Sequence, residues 1–174
     1  RKKFGDDKIR FFMSGEYGSQ TFRPHYHAIL FGLHLDDLKP YKTVKEAGEY
    51  YTYYNSESLQ ECWPYGYVVV GEVTWESCAY TARYVMKKLK GKEAVFYEKH
   101  NIQPEFTLMS RKPGIARRYY DEHPGIYEQD KINVSTPKGG KTFRPPRYFD
   151  KLFDVDCPEK SARSEERRVG KECR

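Results

Sequence analysis

Cysteine is scarce in this chain and never closely paired. Cys62, Cys78, Cys157 and Cys173 are scattered, with no Cys-x-x-Cys spacing, which argues against a zinc knuckle or ribbon. Thiols without partners suit a reducing cytosol. No apolar run approaches the length of a membrane span, and no secretory signal is visible. The charge excess is small. A net charge of +6 over 174 residues permits nucleic-acid binding without requiring it. Aromatic residues, by contrast, are plentiful. Sixteen tyrosines and ten phenylalanines offer faces on which unpaired bases can stack, although an ordinary tyrosine-rich core would need many of them too.

The two ends read as foreign to the fold. The chain opens without methionine on Arg1-Lys2-Lys3, the tail of a helix whose beginning is lost. At the other end, Arg163 to Arg174 reads as a sequencing adapter translated in frame. With five basic and three acidic residues, it supplies part of the net charge. It is set aside from fold reasoning, which leaves one domain over 1–162, long enough for a real core.

Within that span, Lys8 to Ser14 alternates like a strand and 15–24 is turn-like. Pro24 to Phe31 then forms a strand that stops at Gly32. Asp36 to Gln60 is polar and tyrosine-rich and reads as an insertion or long loop, with Ser56 able to cap a short helix reaching Trp63. The β-branched run Tyr67 to Val73 predicts a strand. Thr74 is a fair helix N-cap and Gly91 a fair stop. Between them Ala82, Val85, Met86 and Leu89 form an apolar stripe, opposite one that holds Tyr80, Tyr84, Lys87 and Lys88. Glu105 to Met109 predicts a strand, and Pro113 could open a short helix. Lys131 to Ser135 and Lys141 to Arg144 flank Pro137-Lys138-Gly139-Gly140 as a hairpin. Pro145-Pro146 fixes a turn that presents Arg144 and Arg147.

The most informative run is Arg23-Pro24-His25-Tyr26-His27-Ala28-Ile29-Leu30-Phe31-Gly32. Residues i and i+2 of a strand share a face, so His25 and His27 can grip one ion. Buried, hydrogen-bonded core histidines would give the same pattern. Tyr80 and Tyr84 stand one turn apart on the predicted helix. Core packing could also explain that pair, but the helix already has its apolar face elsewhere.

These motifs, with Gly15-Glu16-Tyr17-Gly18, Trp63-Pro64-Tyr65-Gly66, Ser110-Arg111-Lys112-Pro113-Gly114-Ile115 and Arg144 to Leu152 in order, resemble the replication initiation proteins of the microviruses. The gokushovirus-like group, within the HUH endonucleases, is the nearest match. Tyr26 holds the middle place between the histidines. A Thr-Leu-Thr-like strand found upstream in that family has no counterpart here, so the domain reads as N-terminally truncated.

The resemblance implies an α+β fold in which helices pack on a central antiparallel sheet, in an RRM-like arrangement. It implies a rolling-circle initiator that nicks and rejoins single-stranded DNA through a 5′-phosphotyrosine. Tyr80 and Tyr84 would be the nucleophiles, and Lys87 fits the family's Tyr-x-x-Lys pattern. Arg83 holds the matching place after Tyr80. His25 and His27, with Glu16 as third ligand, would hold Mg²⁺ or Mn²⁺. Arg83, Lys88, Arg111, Lys112, Arg117, Arg118, Arg144 and Arg147 are candidate DNA contacts, though each alone reads equally as a solvated surface charge. The implied partners are origin single-stranded DNA and the host helicase and polymerase, in the host bacterial cytoplasm and away from any membrane. A non-catalytic single-strand-binding module, or a two-tyrosine transposase or relaxase, would share much of this pattern.

Overall fold

The computed structural model describes residues 3–5, 8–18, 20–46, 48–83, 88–89, 91–126, 131–136 and 139–159. Tyr84, Lys87 and the adapter-like tail lie outside them. The fold is mixed α and β with antiparallel sheets. The chain divides into two compact units, 1–115 and 116–174, and each is described by itself.

The first unit is organised by a sheet in the order β2-β1-β5. Strand β1 is Arg10–Tyr17, β2 is Pro24–Phe31 and β5 is Phe106–Met109. β1 therefore begins later and runs further than the alternation of Lys8 to Ser14 implied. Gly15-Glu16-Tyr17 looks like turn material, but antiparallel pairing with both β2 and β5 outweighs local propensity. The turn shrinks to 18–23, closed by Gly18 N–H donating to Arg23 O at 2.9 Å and Phe22 N–H to Gly18 O at 3.0 Å.

Glycine at position 15 has a steric cause. A Cβ there would meet the Phe106 ring at 2.7 Å, because Phe106 lies directly opposite on β5. Tyr26 is the other cross-strand neighbour of Gly15, and its ring lies 6.4 Å from Phe106 and 5.0 Å from Trp63.

The span expected to be a loop is instead a β-ribbon. β3 (Lys39–Glu46) pairs antiparallel with β4 (Glu49–Asn55), setting Thr43 opposite Thr52 and Val44 opposite Tyr51. Cross-strand pairs of β-branched and aromatic residues stabilise such a ladder. Ser56 does cap a short helix, α1 (Glu57–Gln60), accepting from Leu59 N–H at 3.1 Å. Ser56 Oγ and Ser58 N–H donate to Asp37 at 2.8 and 2.7 Å. Those donors, the Ser58 backbone N–H first, hold the Asp37 carboxyl at about 2, below its ordinary value.

Tyr67 to Val73 is not a strand. Only Val70 pairs, as a single bridge to Tyr54. Tyr67 is fully exposed and Val69 and Val73 are half-exposed, so β-branching here has no surface to pack on.

Helix α2 (Trp75–Arg83) starts where expected. Ser77 N–H donates to Thr74 Oγ1 at 3.1 Å and Thr74 N–H to Ser77 Oγ at 2.8 Å, a reciprocal capping box. Its buried side differs from the expected stripe. Ala82 is exposed and Thr81 is buried, its hydroxyl satisfied by donation to Ser77 O at 2.9 Å. Val85 and Met86 lie outside the described residues. Gly91 takes a left-handed φ of 60° and opens a 3₁₀ turn, Gly91–Ala94, leading into α3 (Val95–Lys99). Near the end of this unit, Pro113 opens no helix. It lies in a tight turn bridged from Arg111 to Gly114.

In the second unit, helix α4 is Arg117–Glu122, and the expected hairpin is present as β6 (Ile132–Thr136) and β7 (Gly139–Phe143). Pro137 and Lys138 lie outside the described residues. Pro146 N-caps α5 (Arg147–Asp156) rather than ending in a bare turn. Phe149 and Phe153, one helical turn apart, are buried with Ile126 as the core of this unit. No helix among the described residues is long and apolar enough to cross a membrane.

Candidate active site

The register of β1 against β2 builds the site. Glu16 lies opposite His25 and Ser14 opposite His27. Directly paired residues in antiparallel strands share a face, as do residues i and i+2. Ser14, Glu16, His25 and His27 therefore project from one side of the sheet.

Burial grades across them. Ser14 is 1% exposed and Glu16 7%, His27 is half-buried and His25 exposed. His27 Nε2 lies 3.3 Å from Glu16 Oε1. The His25 ring turns toward Gly18, where an added Cβ would sit 2.9 Å from His25 Cε1 and 3.3 Å from Nδ1.

α2 lies against β1 and β2 and brings Tyr80 to this face. The Tyr80 ring stands edge-on to His27, centroids 5.7 Å apart at 81°, while its side chain keeps more than half its surface in solvent. Beyond α2, Tyr97 OH accepts the Leu89 N–H at 2.7 Å and donates to the Glu105 carboxylate just ahead of β5. Burial, and then the bond to Glu105, push the Tyr97 phenol above its usual pKa.

Two imidazoles and a carboxylate are the right donors for a divalent ion. They share a face, and a buried hydroxyl without a partner, Ser14 Oγ, lies among them. The donor set thus fits such an ion in chemistry and placement. The side chains themselves are not drawn together: among the described residues no three His, Cys, Asp or Glu groups are gathered as an ion would need. Glu16 and His27 face each other instead.

The chain matches the family model for replication-associated protein ORF2 over residues 1–89, a span that includes Glu16, both histidines, Tyr80 and Tyr84. The chain belongs to the replication-associated protein ORF2 family. It is 40% identical over 147 residues to replication-associated protein ORF2 of Spiroplasma virus 4, covering 84% of this chain and 43% of that protein. It is 30% identical over 153 residues to replication-associated protein VP4 of Bdellovibrio phage phiMH2K, covering 87% and 45%. It is also 43% identical over 86 residues to replication-associated protein ORF4 of Chlamydia phage 1, covering 47% and 21%. These are microvirus replication-associated proteins, the group that the motifs resemble. The chain spans less than half the length of each of them. No solved structure matches it significantly.

The other expected contacts are dispersed over this family member. Arg83 ends α2 and Lys88 follows it, both exposed. Arg111 and Lys112 are exposed on their tight turn, and Arg144 and Arg147 are exposed in the second unit. Arg117 and Arg118 are each tied to an acid one turn on, Asp121 at 2.8 Å and Glu122 at 2.6 Å, which makes them weaker candidates for phosphate. Ser14 and Gly18 escaped the sequence reading. Gly18 left a trace there, as a glycine shortly before the histidine pair. Ser14 left none, since its place depends on strand register.

Proposed function

We propose that this chain carries the nicking and joining centre of a rolling-circle replication initiator, cutting single-stranded DNA through a 5′-phosphotyrosine with a divalent ion, Mn²⁺ or Mg²⁺. The observation that carries this reading is the meeting of Glu16, His27 and Tyr80 over one sheet face. Family membership supports the replication role.

In this reading a tyrosine Oη, of Tyr80 or Tyr84, attacks the scissile phosphorus. The P–O3′ bond breaks, and the 3′-oxygen departs and takes up a proton. The 5′-phosphate stays esterified to the tyrosine, so one phosphoester replaces another and a 3′-hydroxyl can reverse the step without ATP. A free phenol ionises near pH ~10, so the attacking tyrosine needs a neighbouring cation. Arg83 and Lys87 are the residues for that role. An ion held by Glu16, His25 and His27 would supply the charge that polarises the phosphate and steadies the 3′-oxygen. Origin DNA is then the substrate, and host helicase and polymerase extend from the freed 3′ end in the bacterial cytoplasm.

The test is a labelled single-stranded oligonucleotide spanning the origin. With Mn²⁺ the protein should yield a covalent adduct that survives denaturing electrophoresis, and chelation should remove it. Binding without adduct under every metal condition would favour a non-catalytic single-strand-binding module.

Gly18 offers a finer check. Gly18→Ala puts a methyl into the space of the His25 ring, so the ring must turn away. Mn²⁺ affinity by calorimetry should fall about tenfold, with little change in melting temperature. Unaltered affinity would remove His25 from the ligand set.

A further inference from the structure

The central strand of the sheet holds a polar group that the reading above does not use. Ser14 is 1% exposed, and its Oγ has no hydrogen-bond partner. Buried hydroxyls are nearly always paired, and leaving one unpaired costs stability. Its neighbours on the face are set by register: His27 directly across on β2, Thr107 directly across on β5, and Glu16 two residues on along its own strand.

We propose that Ser14 is a positioning residue for the divalent-ion site, its hydroxyl donating to the Glu16 carboxylate when Glu16 and His27 turn to share an ion. The inference rests on the metal reading proposed above. Its physical basis is the usual outer shell of a metal centre. A ligating carboxylate is itself hydrogen-bonded, which fixes which oxygen faces the ion, and loss of such a partner typically costs ten- to a hundredfold in affinity. Glu16 and His27 now lie 3.3 Å apart. When that contact opens around an ion, the carboxylate needs a new donor on the same face. Ser14 is the hydroxyl stationed there, shielded from solvent.

This makes an unusual pair of expectations for one substitution. Ser14→Ala removes an unpaired buried hydroxyl, so the metal-free full chain should melt at the same temperature or higher. The same change should weaken Mn²⁺ binding about tenfold, read by calorimetry and by a smaller Mn²⁺-induced rise in melting temperature. Ser14→Cys, of similar size with a weaker donor, should fall between the two, and it keeps the test open if the alanine variant folds poorly. Ser14→Ala with parental Mn²⁺ affinity, or with lowered metal-free stability and parental affinity, would overturn the proposal and leave Ser14 a packing residue. A parent chain that shows no Mn²⁺ response would overturn the metal reading itself, and this inference with it, which sets that failure apart from the first.

Discussion

His27→Ala should abolish nicking while leaving DNA binding largely intact. His27 is the point at which the parts of the proposed centre meet. It lies 3.3 Å from the buried Glu16 carboxylate, edge-on to the Tyr80 ring at 5.7 Å, and opposite Ser14 in the strand register. Removing one group that stabilises charge in a transition state typically costs about 10²–10³ in rate. Losing the ion with it takes single-turnover cleavage below detection. Binding should persist, because strand affinity is spread over phosphate contacts such as Arg83, Lys88, Arg111 and Lys112 rather than concentrated at the histidine. The measurement pairs Mn²⁺-dependent cleavage of an origin oligonucleotide with fluorescence anisotropy on the same strand. His27→Gln serves as a control that keeps a hydrogen-bonding group beside Glu16. Cleavage by His27→Ala at the parental rate would remove the ion site from the mechanism.

The parts of this centre were unequally visible in the sequence, for reasons that follow from the residues. The histidine strand was legible because His25 and His27 alternate into the apolar Ala28 to Phe31, and Gly32 ends the run with a left-handed φ of 77°. The start of α2 was legible because Thr74 and Ser77 carry their capping chemistry in the sequence itself. The reach of β1 through Glu16 was not, since Gly15-Glu16-Tyr17-Gly18 has turn composition and becomes strand only by pairing on both flanks. Tyrosine, lysine and threonine in 39–55 disguised a ribbon whose two strands support each other without a buried face. The opposite error fell on Tyr67 to Val73, where strong β-propensity meets no partner strand. Helix α5 was hidden by Pro145-Pro146, which reads as a breaker until Pro146 is seen as the N-cap of the turn holding Phe149. Ser14 marks the limit of pattern reading: what makes it notable is the residue across the sheet from it, and no local signal carries that.

Tyr80→Phe and Tyr84→Phe should each leave single-round cleavage, and the double substitution should leave none. Phenylalanine is the informative replacement at Tyr80. It keeps the ring, and with it an edge-to-face contact to His27 of the kind worth about 0.5–1.5 kcal/mol, so the site's geometry survives while the attacking oxygen is lost. Tyr84 lies outside the described residues, and its role rests on spacing: one helical turn from Tyr80, it shares that helical face. Rolling-circle chemistry gives a second tyrosine a separate task. While one stays esterified to the old 5′ end, the other must cut the regenerated origin so that the first 3′ end can close the circle. Either single substitution should therefore spare the first cut but block release of closed unit-length circles. Mass spectrometry of the trapped adduct should find the nucleotide on Tyr84 in Tyr80→Phe and on Tyr80 in Tyr84→Phe. An adduct mapped to any other tyrosine, or persisting in the double variant, would show that the nucleophile lies elsewhere in the chain.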